Sequence, residues 1–342
     1  MKAMQLQRIS SLVENTAPLM PVEIPSPRPA GREVLIRVSV CGVCHTDIDE
    51  IEGRTPPPRL PVVPGHQVVG RVEEAGPGVR NVRVGERVGV AWIYSACGQC
   101  RFCREGNENL CPGFRGTGRD ADGGYAGYML AEEDFVHRIP EGISDVKAAP
   151  LMCAGAIGYR SLRLSGIKDG ETLGLTGFGA SAHLVLKMVN HLFPRTRVFV
   201  FARGEVEKAF ARELGAVWTG DTSDAPPEKL RAIIDTTPAW KPVLEALNDL
   251  EPGGRLVVNA IRKEESDKST LLGLDYPSHL WMEKEIRSVA NVTRRDVREF
   301  LDLAAAIPVS PETEEFPLLE ANRALLQLKN RKIKGAKVLR ID

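Results

Sequence analysis

The 342-residue chain has no apolar run approaching the roughly eighteen residues that a membrane-spanning helix needs. It also has no excess charge: 45 Lys and Arg are balanced by 45 Asp and Glu. A neutral balance argues against a nucleic-acid binder or a protein held on an anionic membrane, both of which carry a basic face. The opening MKAMQLQRIS has no apolar core of the kind a secretory leader shows. The expectation is a cytoplasmic protein, in which thiols stay reduced. Internal repeats and low-complexity tracts are missing as well. What remains is an ordinary globular composition, 43% apolar and 26% charged, at a length that suggests two domains.

Against this background the cysteines stand out. Four of the seven fall between Cys97 and Cys111, in CGQCRFCREGNENLC, spaced C-x2-C-x2-C-x7-C. Four reduced thiols this close point to a metal rather than to disulfides. Zinc takes four thiolates tetrahedrally, and such a closed set leaves no position for water or substrate. Cys97, Cys100, Cys103 and Cys111 are therefore expected to hold a structural zinc, with Gly98 and Gly106 supplying the tight turns. An iron–sulfur cluster and a loop of free thiols are the alternatives. The chemistry has to lie elsewhere.

The remaining cysteines are Cys41, Cys44 and Cys153. Cys41 follows the alternating strand EVLIRVSV, whose Val34, Ile36, Val38 and Val40 share a face, so a buried thiol is its default. Cys44 opens CHTD, His66 stands in PGHQVVG, and Cys153 stands in LMCAGAIGY. Two thiolates and an imidazole with a vacant fourth position form the donor pattern of a catalytic zinc, although a His beside Gly is more often a packing or capping residue.

The second half reads as alternating strands and helices, the pattern of a parallel sheet covered on both faces. In ETLGLTGFGASAHLVLKMV a short strand runs into Gly177-Phe178-Gly179-Ala180-Ser181-Ala182, which fits G-x-G-x-x-A. The first glycine permits the turn, the second admits a pyrophosphate, and Ala182 lets helix and strand pack. RVFVFAR, RAIIDTT and GGRLVVNAI read as further strands; EVEKAFARELG and AWKPVLEALNDL read as helices. The first half, rich in Pro and Gly, suggests a partly open β structure. RKEESDK at 262–268 reads as a solvated loop.

Taken in order, CGVCHTD, PGHQVVGRVEEAGPGV, the four-cysteine loop, MCAGA and GFGASA resemble the zinc-dependent alcohol dehydrogenases of the medium-chain dehydrogenase/reductase family. The resemblance covers essentially the whole chain. It implies an α/β protein with a GroES-like, partly open β-barrel catalytic domain over residues 1–154, including a structural-zinc lobe at 94–114. A Rossmann domain with a doubly wound parallel sheet would follow over 155–291, and residues 292–342 would return to the catalytic domain. It implies two zinc ions per chain, the catalytic one on Cys44, His66 and Cys153. Thr46 matches the residue that hydrogen-bonds the substrate oxygen, Asp47 a carboxylate that orients a ligand, and Trp92 a pocket-lining position, for which a plain core aromatic is the alternative. The implied reaction moves a hydride between a primary or secondary alcohol and a nicotinamide cofactor, with an aldehyde or ketone as the other partner. A homotetramer, or failing that a homodimer, is expected. The alternative is a non-catalytic NAD(P)-binding relative.

Two positions depart from the family pattern. The Glu that often follows the ligand His, and can approach the metal, is Gln67. The His that often ends the proton relay is Asp49, which leaves Asp49, water or His45 to carry the proton. For the cofactor, the acidic residue that binds the ribose 2′-hydroxyl falls on Ala202, followed by Arg203. An Arg there suits a 2′-phosphate, so NADP(H) is expected over NAD(H). Stacking of Arg203 on adenine is the other use.

Overall fold

The computed structural model describes residues 1–307, 309–330 and 336–341. The chain divides into two units, Met1–Ala156 with Asn291–Asp342, and Ile157–Ala290.

The first unit is built on the strand Glu33–Val43. One edge of it pairs antiparallel with Gln67–Ala75. The other edge is shared: residues 33–37 pair with Tyr128–Glu132, and residues 40–43 pair with Ala336–Arg340. The last fifty residues thus complete the sheet begun by the first fifty. Val34, Ile36, Val38 and Val40 are all buried, as alternation requires, and Cys41 is fully buried behind them. Their core takes in Tyr125, Phe316, Leu325 and Leu339. Thr313–Pro317 closes the sheet parallel to Ala336–Arg340 and was not legible beforehand. TEEFP carries two acids and a proline, which suits an edge strand, and its acids pair with Lys337 and Arg340.

The second unit holds a six-stranded, all-parallel sheet. Its strands in chain order are β1 (Thr172–Thr176), β2 (Arg197–Phe201), β3 (Trp218–Gly220), β4 (Leu230–Asp235), β5 (Leu250–Val258) and β6 (Glu285–Ser288). Their spatial order is 3-2-1-4-5-6, the doubly wound dinucleotide-binding order, which reverses beside β1. β1, β2 and β4 read as strands in the sequence because they are nearly all apolar and buried. β3 and β6 did not, being short or exposed along their length.

One expectation is corrected here. RKEESDK is not simply a solvated loop. Lys263 is buried and ion-paired with Asp235 at the end of β4, and its ammonium also donates to the carbonyls of Thr237 (2.8 Å) and Ala239 (3.0 Å). Asp267 accepts from the backbone N–H groups of Trp240 and Lys241, capping the helix Lys241–Asp249. Two of the seven residues are structural because tertiary neighbours, invisible in a charge run, lie above them.

Candidate metal centres and nucleotide turn

The thiols and imidazole singled out in the sequence come together in two clusters, and all seven cysteines are free. Cys97, Cys100, Cys103 and Cys111 present sulfurs within 4.8 Å of one another; Cys44, His66 and Cys153 present two sulfurs and a ring nitrogen within the same distance. In the four-sulfur loop, Gly98 and Gly106 have φ of +72° and +71°. The turns there need a left-handed backbone, which glycine adopts without strain. Backbone N–H groups of Cys97 and Gly113 donate to the Cys111 sulfur at 3.4 and 3.3 Å, and that of Cys100 donates to the Cys97 sulfur at 3.4 Å. Donors aimed at sulfur favour thiolate; backbone N–H groups lower the Cys97 pKa to about 6, while burial pushes Cys103 up to about 12. A short ladder between Ile93–Ser95 and Arg115–Gly116 closes the base of the loop. The loop is also pinned from a distance. Buried Glu108 accepts from the backbone N–H (2.7 Å) and Nε (3.1 Å) of Arg294, at the start of the helix Arg294–Ala306.

The three-donor cluster is assembled from three elements. Cys44 ends the run out of Glu33–Val43 and caps the helix His45–Ile51, whose Asp47 side chain accepts from the Cys44 N–H at 2.8 Å. His66 directly precedes the strand Gln67–Ala75. Cys153 lies in a π-helical turn, Leu151–Gly155, inserted between two α-helices; such turns recur at functional sites. Cys44 and Cys153 sulfurs stand 3.9 Å apart.

Asp47 is fully buried and surrounded by donors. His66 Nδ1–H donates to its Oδ1 at 3.0 Å, and the Tyr125 hydroxyl donates to its Oδ2 at 3.0 Å. A carboxylate only accepts, so Nδ1 carries the proton, and Nε2 is the nitrogen left to bind something else. His66 Nε2 is buried and has no hydrogen-bond partner among the described residues. A buried polar atom without a partner is costly, and a metal in this cluster would satisfy it. Two soft sulfurs and an imidazole fit zinc.

The electrostatics agree. The hydrogen bond from Cys153 holds the Cys44 pKa well below the usual thiol range, against its burial. The same bond, with burial, holds Cys153 well above it. Burial alone would favour a neutral His66, but the charge and hydrogen bond of Asp47 outweigh it and raise the pKa. Without a cation, the trio thus disfavours a proton on Cys44 and favours one on Cys153 and on His66.

The other expected residues divide into two groups. Thr46 Oγ1 lies 3.7 Å from the Cys44 sulfur, at the cluster. Trp92 packs edge-on against His66, with ring centroids 6.4 Å apart. His45 faces solvent. Asp49 is buried and held by Arg54. Gln67 is buried with its amide against Gly42, where a Cβ would fall 2.3 Å from Gln67 Oε1. Glu50 was not singled out in the sequence, yet the Trp92 indole N–H donates to its Oε1 at 3.1 Å. Its position four residues after Thr46, one helical turn along the same face, was the available signal.

In the second unit, Gly177 has φ of +77° and sits tight against Thr236, 2.8 Å from where a Cβ would be. Gly179 has nothing within 4 Å of such a Cβ and is exposed together with Ala180. Ser181 directly precedes the helix Ala182–Leu192 without capping it through its side chain, and Ala182 is buried. An open backbone turn at the N-terminus of an eleven-residue helix could accept a phosphate. Ala202 is buried just past β2; Arg203 is exposed and has no hydrogen-bond or ion-pair partner among the described residues.

Fold and donor sets together define a class: a GroES-like β domain bearing two cysteine-rich clusters whose donors fit a metal, joined to a dinucleotide-type parallel sheet. Residues 30–141 match the family described as the alcohol dehydrogenase GroES-like domain. The chain is 43% identical to a probable alcohol dehydrogenase, AdhA, of Mycobacterium tuberculosis, over 100% of this chain and 97% of that one. It is 34% identical to an alcohol dehydrogenase of Geobacillus stearothermophilus, over 95% and 97%. Among solved structures, AibC superimposes with a TM-score of 0.90 at 27% identity, covering 100% of this chain and 96% of that chain. The chain belongs to the zinc-dependent alcohol dehydrogenases of the medium-chain dehydrogenase/reductase family. No helix among the described residues is long and apolar enough to cross a membrane.

Proposed function

We propose that this protein oxidises a primary or secondary alcohol to its aldehyde or ketone, and catalyses the reverse reduction, by hydride transfer to NADP(H) in preference to NAD(H). The observation that carries the reading is the Cys44–His66–Cys153 trio, with its partnerless His66 Nε2. Three donors leave one position for a substrate oxygen. Zinc there would supply Lewis-acid polarisation and lower the pKa of a bound hydroxyl. Asp47 fixes the His66 tautomer and ring, and Tyr125 and the Cys44 N–H hold Asp47 in turn. Thr46 takes the proton from the substrate hydroxyl. The Gly177–Ala182 turn holds the cofactor pyrophosphate. The four-cysteine loop takes a second zinc, with no part in the chemistry.

The test is zinc content per chain together with growth of the reduced-nicotinamide absorbance on addition of an alcohol series. A protein that binds zinc and cofactor but gives no such growth with any alcohol is the non-catalytic relative instead.

The proton arrangement of the trio sets a pH dependence. His66 and Cys153 have raised pKa values, and both must lose a proton before they ligate. Zinc uptake at this site is expected to release protons and to weaken as pH falls. Calorimetric titration in two buffers of different ionisation enthalpy measures the release; an identical heat in both would refute it.

Cofactor choice turns on Arg203. With Ala202 in place of an acid, the residue that would face the 2′-phosphate does not repel it. The Arg203 guanidinium, without a partner among the described residues, is available to it, although Glu205 and Glu207 in the following helical turn offset part of its charge. Arg203→Ala is expected to lower kcat/KM for NADP(H) by about tenfold, one charge-assisted hydrogen bond or so, with little change for NAD(H). Ala202→Asp is expected to shift the ratio further toward NAD(H). An unchanged ratio in Arg203→Ala means that the side chain only stacks on adenine.

A further inference from the structure

Alcohol oxidation yields a proton as well as a hydride, and the proton needs an acceptor beyond Thr46. Besides Asp47, which holds His66, three side chains on the helix His45–Ile51 have the chemistry. Asp49 stands where the family places its relay group, but its carboxylate is committed to Arg54. His45 points to solvent, away from the buried donors. Glu50 differs from both. It is only 2% exposed, and it lies one turn beyond Thr46 on the same helix face. Its Oε1 accepts from the Trp92 indole at 3.1 Å, and Trp92 in turn packs against the ligand His66. Its Oε2 is buried and has no hydrogen-bond partner among the described residues. A carboxyl needed only to hold an indole would not require a second oxygen left bare in the interior, where an unmade hydrogen bond is costly.

We propose that Glu50 is the terminal proton acceptor of this site, in place of Asp49. The inference rests on the dehydrogenase reading given above. In the oxidation the alcohol O–H breaks, and its proton passes through the Thr46 hydroxyl to the Glu50 carboxylate. The C–H bond breaks with its electron pair going to the nicotinamide, and the carbon–oxygen double bond forms. Glu50 ends as a carboxylic acid and returns its proton to water, so no further reactant is consumed. In the reduction the same proton travels back.

The surroundings suit the role. Burial, then the charge of Asp47 on the same helix, raise the Glu50 pKa to about 8; the thiolate of Cys44 acts in the same direction, while His66 and the Trp92 N–H oppose it. A cation on the trio would favour the carboxylate and bring the value down toward working pH. A proton acceptor poised near operating pH is the efficient one.

Glu50→Gln is the decisive variant, because its amide oxygen still accepts from Trp92 and its volume is the same. In the zinc-loaded protein, kcat for alcohol oxidation at neutral pH is expected to fall at least tenfold. Zinc content and the KM for cofactor should hold, and the deficit should shrink as pH rises and solvent takes the proton. Glu50→Asp should recover part of the loss. A second readout needs no turnover: the pH titration of the Trp92 contribution to fluorescence, taken as parent minus Trp92→Phe, should show a step in the parent that Glu50→Gln lacks. If Glu50→Gln keeps the parent's kcat and pH profile while the parent is active, Glu50 only props Trp92 and the proposal is overturned. A parent with no alcohol-dependent turnover would instead bring down the dehydrogenase reading on which it rests.

Discussion

Replacing His66 with alanine should abolish alcohol oxidation, by a thousandfold or more, while cofactor still binds. The imidazole is the one nitrogen donor of the trio, its Nε2 has no alternative partner, and Asp47, Tyr125 and the Cys44 N–H are arranged around it. Without it, two thiols 3.9 Å apart remain, a poor site for zinc at neutral pH given how strongly Cys153 holds its proton. Lewis-acid polarisation contributes several kcal/mol to a transition state, and a thousandfold corresponds to about 4 kcal/mol. The Gly177–Ala182 turn belongs to the other unit, so the dissociation constant for the cofactor should stay within a few-fold of the parent's. Metal analysis should show one zinc fewer per chain. Full turnover in a His66→Ala protein that has lost that zinc would remove the trio from the mechanism. Asp47 would be missed differently, because removing it also strands the Tyr125 hydroxyl and frees the ring to turn.

Cys103→Ala should have its main effect on stability. Cys103 is one of the two buried sulfurs of the lobe, 3.6 Å from that of Cys100 and 3.9 Å from that of Cys97. Three remaining thiolates no longer close a tetrahedron. The loop has almost no apolar core of its own, so a metal there would serve as its core, much as in small zinc domains that unfold without it. The loss should spread beyond the loop. Glu108 caps the helix Arg294–Ala306 from within it, and a cap alone contributes about 1 kcal/mol. A drop in melting temperature of ten degrees or more, with one zinc released, is expected. Protein that remains folded should still turn over, because the trio does not share a residue with the lobe. A variant that melts with the parent and keeps the parent's metal content would overturn the structural role assigned to the four sulfurs.

How much of this was legible beforehand depended on range. The C-x2-C-x2-C-x7-C spacing is local, so a cluster of four thiols and two glycine turns could be read directly. β1, β2 and β4 were legible because buried parallel strands are written as unbroken apolar runs. Cys44, His66 and Cys153 are spread over more than a hundred residues, and only their resemblance to a known pattern linked them. Glu50 and Lys263 were passed over for one reason. Each is a charged side chain whose importance comes from a distant partner, Trp92 for one and Asp235 for the other. Spacing arguments do not reach such pairs, and composition marks them as surface.

The double partnership of Glu33–Val43 also has a consequence in time. The ribosome makes this strand early, but residues 40–43, adjacent to Cys44, have no neighbour on that edge until Ala336–Arg340 emerges. All of Ile157–Ala290, a continuous parallel-sheet unit, is synthesised in between. That unit can settle while the nascent chain is still attached, whereas the first unit keeps an unfinished sheet edge until Ala336–Arg340 has been made. The edge beside Cys44 therefore closes only after the whole of Ile157–Ala290 has been synthesised.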